Sequence, residues 1–540
     1  MELKKSLSIL ACLLGLVTGC GENKENVVAE SAKNVLNVAK VAELSTMDST
    51  LMTDETSFET VAATKEGLYT VNGKGEIIAA LAESMDVSKD GKIYTFKLRD
   101  AKWSDGVPVT ANDFVFAWKR LVDPKVAAEY SYMANIAQIT NAKDILEGKK
   151  SIDELGVKAI DDKTLQVTLD KPVVFFKSLL AFPVFFPIRE DFYKSKGTQY
   201  GLSPDGVLAN GPYKMESWDQ GGGWTVVKND NYYDADHVNM DRINFKIIKE
   251  EQSALVAYEQ GDVDFLYFTG ELAGTYKDNP AYIKVPDASL SYISLNQTKP
   301  EFQNENLRKA IALAFDKELI TNNILSDGSK ASYWAVPQQF AKGPDDKYFN
   351  EDVSKFLPTD KSKAKEYFEL AKKELGKDSF EFEYVFNDTE SNKKIAEFLK
   401  SELETTLVGL KLNLKQVPFK ERLALQRNGN FEMIFCGWGA DYDDPMTFLD
   451  MHVKSSVYNF GRWHNEEYDK LIDECVNGDL SANAEKRWEA LKKAQDMFMS
   501  TAGFVPIYQR QKAGLLRPTV KGIEFHSVGV SVTYKNVTKE

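Results

Sequence analysis

The sequence predicts an α/β protein made of two or three lobes. Its 540 residues exceed what one hydrophobic core usually supports. An apolar content of 43% and a charged content of 27% are typical of a globular chain. Helix and strand patterns alternate between about residues 304 and 435, whereas hairpin patterns dominate the earlier half. This alternation indicates that the later half contains a mostly parallel sheet accompanied by helices.

The earlier half contains two hairpin signals and one strong helix start. Residues 87–98 alternate around the turn Lys89-Asp90-Gly91, and residues 158–169 do so around Asp161-Asp162. Thr110 is a good N-cap for a helix through Leu121, with Asp113 placed as in a capping box. The stretch 201–211, rich in Gly, Pro and Asp, is typical of a crossing between domains. The remaining predictions are strands at 35–41, 224–228 and 243–248, helices at 58–65 and 250–260, and a helix or strand at 173–180.

The later half alternates between helix and strand patterns. Apolar residues recur at helical spacing in 304–323, 362–375 and 393–407. Shorter apolar segments predict strands at 380–386, 412–416 and 432–435.

Composition and motifs exclude several classes of function. The net charge of −14 argues against nucleic-acid binding, because that affinity comes largely from Lys and Arg contacts to phosphates. The four histidines are isolated, and H-E-x-x-H, G-x-S-x-G and phosphate-loop patterns do not occur. A cluster of three carboxylates occurs at Asp441, Asp443 and Asp444, but no base, nucleophile or metal partner accompanies it. We therefore expect a protein that is not an enzyme and uses no metal and no cofactor.

The first twenty residues resemble a bacterial lipoprotein signal. Lys4 and Lys5 precede an apolar run at 7–17 that is too short to span a bilayer. The tetrapeptide Val17-Thr18-Gly19-Cys20 resembles a lipobox, with Val where Leu is commoner. We predict a signal peptide at 1–19, lipidation of Cys20, a flexible tether at 20–34, and an extracytoplasmic location at the bacterial membrane with the lipid as the only anchor. An ordinary secretory signal is the alternative.

The two other cysteines of the mature chain are Cys436 and Cys475. They leave two alternatives open, a disulfide in an oxidising exterior or two buried free thiols. Cysteine count alone does not show that two thiols meet in space.

Two neighbouring segments, YTFKLRD at 94–100 and WSDGVPVTANDF at 103–114, carry the strongest match to a known family. They resemble the solute-binding proteins of peptide and nickel importers, and within these the oligopeptide-binding branch. Asn-Gly-Pro-Tyr at 210–213, Gly-Asp-Val-Asp at 261–264 and Tyr-Asp-Lys-Leu at 468–471 follow in the order of that family. The resemblance covers nearly all of the chain after the signal.

The resemblance implies two lobes that close over a ligand about a hinge. Lobe I would comprise 35–70, 201–290 and 505–540, an inserted domain 71–200, and lobe II 291–504. It also implies a monomer that captures oligopeptides and delivers them to the membrane permease subunits of an ABC importer.

The resemblance implies that one residue of this chain binds the α-ammonium group of the peptide. Backbone groups are the same in every extended peptide, so main-chain pairing gives affinity without sequence selection. An engulfed ammonium group needs a fixed carboxylate, and the segment 437–442 resembles the family segment that supplies it, which makes Asp441 the predicted partner. From the residues alone, a loop-capping Asp441 before Pro445 is the favoured interpretation.

Matching to relatives places further residues beside the peptide. Thr53, Asp54 and Glu55 match a first-lobe segment that runs along it, and Gly439 belongs to the same segment as Asp441. Core packing is the alternative for the aromatic residues, because most aromatic side chains of a large chain lie in its interior. The aromatic positions that line the cleft in relatives are Tyr130, Tyr258, Tyr292, Trp438 and Tyr508.

Two departures from the family are informative. Short-peptide binders hold the C-terminal carboxylate with cations, and the matching positions here are Asn392, Gln426 and Phe435, with Arg427 adjacent. The family's cysteine pair between the lobes is replaced by Ser289 and Gly439. We predict that the protein lacks a strong C-terminal clamp and accepts longer or more variable peptides.

Two rival functions stay open. One is binding of another solute, such as a nickel chelate, haem or a sugar, which the segment 437–442 and the scattered histidines disfavour. The other is a receptor for a peptide signal or an adhesin, because the same closed lobes serve either output.

Overall fold

Two β-sheets, between which the chain crosses twice, form the framework of the protein. The computed structural model describes residues 34–540 apart from 174, 269 and 286. The predicted signal peptide, Cys20 and tether residues 20–33 lie outside the described residues. In the part of the chain that the structure describes, every helix is too short or too polar to cross a membrane.

The first sheet has seven strands among the described residues, one from each end of the chain and five from its middle. Val35–Lys40 lies inside it, parallel to Arg242–Ile247 on one side and to Phe265–Phe268 on the other. Leu36 and Val38 of the first strand are fully buried, which confirms the strand predicted at 35–41. The order across the sheet is Tyr282–Val285, Lys512–Leu516, Phe265–Phe268, Val35–Lys40, Arg242–Ile247, Gly223–Lys228 and Tyr213–Asp219.

The second sheet is mixed, with six strands in the described part of the chain. Phe380–Asn387 runs parallel to both of its neighbours, and the other pairs are antiparallel. Phe380–Asn387, Leu410–Val417 and Met433–Gly439 run parallel to one another, as the alternation of helices and strands predicts. The sheet as a whole is mixed rather than mostly parallel, because Ser289–Leu295 and Val505–Gln509 enter from the crossings and run antiparallel to the strands beside them. The order is Lys330–Ala331, Val505–Gln509, Ser289–Leu295, Met433–Gly439, Phe380–Asn387 and Leu410–Val417.

Helices of the later half follow the predictions except at one place. The predicted helix at 304–323 breaks into Glu305–Leu313, Lys317–Leu319 and a π-helical turn at Ile320–Leu325. Asp316 causes the break, since its side chain accepts a bond from the Glu318 amide at 2.9 Å and so starts a new helix. The other helices of this half are Pro300–Gln303, Lys361–Leu375, Glu390–Thr406, Phe419–Asn428, Met446–Leu449, Glu466–Val476 and Ala484–Ser500.

A four-stranded antiparallel sheet contains both predicted hairpins. Its order is Ala82–Val87, Ile93–Leu98, Thr164–Thr168 and Val157–Asp161. Helix Ala111–Val122 begins after Thr110, whose amide donates to Asp113 Oδ2 at 2.9 Å as the capping box predicted. The remaining helices are Glu55–Thr64, Tyr132–Ile136, Ala142–Leu146, Phe176–Leu179, Glu190–Lys196, Glu251–Gln260 and Gly270–Tyr276, and the small strand pairs are Tyr69–Val71 with Ile77–Ala79, Val520–Lys521 with Thr538–Lys539, and Glu524–Phe525 with Val532–Thr533.

An ion pair joins the two crossings between the large sheets. The first crossing follows Tyr282–Val285 and contains Asp287, and the second follows Val505–Gln509 and contains Arg510. Arg510 Nε lies 2.6 Å from Asp287 Oδ2. Residues 505–509, predicted in lobe I, pair within the second sheet instead. The other boundaries of the lobes stay predictions.

Candidate binding site

Strand Met433–Gly439 ends beside a buried carboxyl group, Asp441. The strand is longer than predicted and carries Trp438 and Gly439 at its end. The Asp441 amide donates to Thr447 Oγ1 at 3.2 Å, and Tyr130 Oη donates to Asp441 Oδ1 at 3.2 Å. Among the described residues, no Lys or Arg forms an ion pair with Asp441, and its Oδ2 atom has no hydrogen-bond partner.

Burial controls the charge of this carboxyl group. Asp441 is 8% exposed, and burial raises its pKa to about 8, against the lowering effects of the Tyr130 and Tyr132 hydroxyl groups. A carboxyl group of this kind stays neutral near pH 7 until a cation arrives.

Aromatic side chains surround Asp441. Tyr130 stacks on Trp438 with ring centroids 6.3 Å apart, and Trp438 meets Tyr458 edge-on at 4.7 Å. A buried polar group without a partner costs about 1–3 kcal/mol, so native proteins contain few of them. The clustering of such unpartnered polar groups around Asp441 therefore indicates a place where a ligand or water supplies the missing hydrogen bonds. The buried atoms around Asp441 that lack a partner are Tyr132 Oη, Trp438 Nε1, Tyr442 Oη, Asp450 Oδ2 and Tyr458 Oη.

A cavity of about 660 Å³ adjoins this carboxyl group. Aromatic side chains, among them Phe175, Phe182 and Phe340, form much of its wall. Asp441 and Asp443 both line it. The space is large enough for a side chain or a short length of peptide.

Arg427, near the end of helix Phe419–Asn428, joins that helix to the segment at 53–55. Its Nη2 atom donates to Thr53 Oγ1 at 2.8 Å, and its Nε atom pairs with Glu129 Oε1 at 2.8 Å. Asp54 caps helix Glu55–Thr64 by accepting from the Ser57 amide at 2.9 Å. The structure thus brings Thr53 and Arg427 together, while Asp54 serves the local backbone.

Glu55 belongs to the charge cluster at the crossings. It pairs with Lys512, and its Oε2 atom lies 3.4 Å from Arg510 Nη2. Burial opposes the charge of Glu55, but the two cations outweigh it and lower the pKa of this carboxyl group below its usual range.

The predicted tyrosines separate into two groups. Tyr292 and Tyr508 lie on neighbouring strands of the second sheet, where Tyr292 stacks on Phe504 at 4.4 Å and Tyr508 is paired in register with Ser291. Tyr258 lies under the Arg517 guanidinium, 4.6 Å from ring centroid to Cζ. No contact in the described chain joins Tyr258 to the Asp441 region.

Gly439 and Ser289 are direct neighbours across two strands. They are register partners, and a Cβ atom on Gly439 would lie 2.9 Å from Ser289 Oγ. The two positions matched to the family's cysteine pair therefore face each other. Cys436 and Cys475 are both buried and free, so the disulfide alternative is wrong, and burial raises the pKa of their thiols to about 12 and about 11.

Sequence matching missed a cation beside the positions predicted to lack one. Asn392, Gln426 and Phe435 are all buried, and Arg422 lies beside two of them, Gln426 and Phe435, one helical turn before Gln426. Arg422 Nη1 donates to Gln426 and to the Phe435 carbonyl at 2.9 Å. Its Nε atom is buried without a partner, and no carboxylate forms an ion pair with it in the described part of the chain. The i, i+4 spacing to Gln426 was the available sequence signal.

The chain matches known proteins over most of its length. Residues 76–460 match the family model described as bacterial extracellular solute-binding proteins, family 5 Middle. A dipeptide-binding protein of Lactococcus lactis subsp. cremoris is 34% identical, with 98% of each chain covered. Among solved structures, the substrate-binding domain of an oligopeptide ABC transporter from Bacillus anthracis has a TM-score of 0.91 at 40% identity, covering 94% of this chain and 98% of its own. Listeria monocytogenes OppA bound to peptide has a TM-score of 0.90 at 38% identity, covering 94% and 99%.

Two solved structures of one further relative match this chain to different extents. The murein tripeptide-binding protein MppA of Escherichia coli superposes with a TM-score of 0.86, and the unliganded open form of MppA with 0.63. The present structure therefore resembles the first of these MppA structures more closely than the open, unliganded form. With a family match over more than half of its residues and a two-sheet fold shared with solved members, the chain belongs to the bacterial extracellular solute-binding proteins of family 5.

Proposed function

We propose that this protein captures oligopeptides between its two large sheets and delivers them to an ABC importer, without catalysing a reaction. The observation that carries the proposal is Asp441, a buried carboxyl group with an unpartnered oxygen and no cation beside it. The α-ammonium group of a peptide supplies both the missing charge and the missing donor. Trp438, Gly439 and Tyr130 would then contact the first residue of the peptide.

The names of the relatives support the class of ligand. Proteins called dipeptide- and oligopeptide-binding match the chain from end to end, and one solved relative holds a peptide. The contact of Arg427 with Thr53 and Glu129 supports a closed state in which both sides of the cleft meet.

The experiment is a calorimetric comparison of tetra-alanine with its N-acetylated form. We expect the parent protein to bind the free peptide more tightly, and Asp441→Asn to lose on the order of 2–5 kcal/mol of that binding. The acetylated peptide is the matched control, because it differs only at the amino group. Equal affinities of Asp441→Asn and the parent for both peptides would overturn the proposal.

We extend the proposal to location. A lipid on Cys20 would hold the protein at the outer face of the membrane, close to its importer. Fractionation of cells that express Cys20→Ala tests the anchor, and full membrane association of this variant after removal of its signal peptide would contradict it. Uptake assays in a deletion strain separate transport from signalling.

A further inference from the structure

The cavity beside Asp441 contains a second carboxyl group that the proposed function does not use. Asp443 is exposed toward this space, two residues after Asp441, and both line its wall. Asp443 forms no ion pair within the described chain. The next residue, Asp444, forms an ion pair with Arg487, whose Nη1 atom lies 2.7 Å from Asp444 Oδ2. Two acidic groups of one cavity thus lack cations.

The other charged groups of the wall already have partners. Glu66 accepts bonds from Tyr232 and Tyr233 at 2.6 and 2.9 Å. Lys342 pairs with Asp346 at 2.8 Å, and Lys535 pairs with Asp234 at 2.6 Å. Lys65 donates to Tyr200 Oη at 3.1 Å, and Glu524 accepts from Thr533 and Asn536 at 3.1 and 3.0 Å. The wall's carboxyl groups that keep an oxygen open are therefore those of the loop at 441–443.

Two buried polar atoms indicate that the cavity takes a polar ligand. Asp441 is 8% exposed and its Oδ2 atom has no partner, and His526 is 4% exposed with an unpartnered Nδ1 atom. Both residues line the cavity. Desolvation by its surroundings and the neighbouring Asp444 carboxylate raise the pKa of Asp443.

The rest of the wall suits a long aliphatic stem that ends in a cation. Phe175, Phe182 and Phe340 supply aromatic surface, and Ile77 and Val528 add aliphatic surface. The methylene groups of Lys or Arg bury well against such surface while the charged end reaches a carboxylate.

We infer that this cavity selects peptides whose first residue is basic, with the α-ammonium group at Asp441 and the side-chain cation at Asp443. The inference rests on the proposed function, because it places the amino terminus at Asp441. Binding is thereby strongest for a peptide whose first residue carries both the α-ammonium group and a side-chain cation, and an acidic first residue is rejected by like charge.

The test compares tetrapeptides that differ only at the first residue, Lys, norleucine or Glu followed by three alanines. In calorimetry of the full chain we expect Lys to bind about tenfold more tightly than norleucine, which has a similar shape without the charge, and Glu to bind most weakly. Asp443→Asn should reduce the ratio of Lys to norleucine to about one while norleucine binding is unchanged. Asp443→Glu should keep part of the preference.

The control is Asp86→Asn, which removes an exposed carboxylate from the four-stranded sheet, and it should retain the full ratio. Equal binding of Lys and norleucine by the parent protein, or an unchanged ratio in Asp443→Asn, would overturn the inference while leaving peptide capture intact. Failure of all three peptides to bind would instead overturn the proposed function.

Discussion

Tyr130 donates a hydrogen bond of 3.2 Å to Asp441 across 311 positions of sequence. The bond joins a short helical turn of the earlier half to the loop after a strand of the second sheet. It satisfies one carboxyl oxygen and leaves the other open, so the carboxyl group is held in place with one oxygen free for a ligand. Rigid placement of this group before the ligand arrives reduces the cost of binding.

Binding of a free peptide should release a proton near pH 7. The pKa of Asp441 is raised to about 8 in the ligand-free protein, so this group is mostly protonated at pH 7, whereas a bound ammonium group favours the carboxylate. Affinity should therefore rise with pH up to about 8, where the peptide's own amino group, with a pKa of about 8, begins to lose its charge. Calorimetry in buffers of different ionisation enthalpy measures the release. Asp441→Asn should abolish it, and a parent protein that releases no proton would contradict this account.

Arg427→Ala should shorten the lifetime of the bound state. The side chain bridges Thr53 and Glu129, and its loss removes contacts that hold the two sides together. Because Arg427 is 42% exposed, we expect only a few-fold faster peptide dissociation, equivalent to about 1 kcal/mol or less. Stopped-flow fluorescence measures the rate. Lys420→Ala, an exposed cation of the same helix, is the control, and equal rates in both variants would argue against a bridging role.

Asp287→Asn should destabilise the junction between the sheets. Arg510 would keep its longer ion pair with Glu55 and its hydrogen bond to Ser289 Oγ, but this partly buried cation would lose its main partner. We expect a loss of about 1–3 kcal/mol in the free energy of unfolding, measured by denaturant titration. The exposed pair of Lys119 with Asp153 provides the comparison, since Asp153→Asn should cost less than about 1 kcal/mol. A loss in Asp287→Asn no greater than in Asp153→Asn would refute the prediction.

Arg422→Gln tests whether the protein holds the peptide's carboxyl end. The sequence predicts that no cation holds the C-terminal carboxylate of the peptide strongly. We therefore expect C-terminal amidation to change tetrapeptide affinity by less than about threefold, or roughly 0.7 kcal/mol, in parent and variant alike. A large amidation effect in the parent that Arg422→Gln removes would identify Arg422 as the clamp and contradict the sequence prediction. The buried charge has no carboxylate partner in the described chain, so we expect Arg422→Gln to leave the free energy of unfolding unchanged or to raise it.

Cys436 and Cys475 should resist alkylation in the native protein at pH 8. Burial raises the pKa of their thiols to about 12 and about 11, so few thiolates form and those are shielded. Peptide mapping after iodoacetamide treatment should find both residues labelled only when the protein is first unfolded. Rapid native labelling at either cysteine would show that its surroundings are open.

The elements of the sheets were predictable where local signals agree. The capping box at Thr110 and the turn at Lys89-Asp90-Gly91 depend on neighbouring residues, and the structure has both. The break after Leu313 was missed, because an apolar helical spacing continues through it while Asp316 caps a new helix. The direction of Ser289–Leu295 in its sheet was equally hidden, since it depends on a partner more than a hundred residues away.

The sequence by itself determined the fold class, the family and the segment that contains Asp441, because these depend on composition, periodicity and motifs within short windows. Only the tertiary structure showed that the Asp441 carboxyl group lacks a cation, that Arg422 lies beside Gln426 and Phe435, and that Tyr258 contacts Arg517 rather than the Asp441 region. Burial, charge balance and unpartnered atoms are properties of groups brought together from distant parts of the chain. They decide binding, and no local pattern of residues records them.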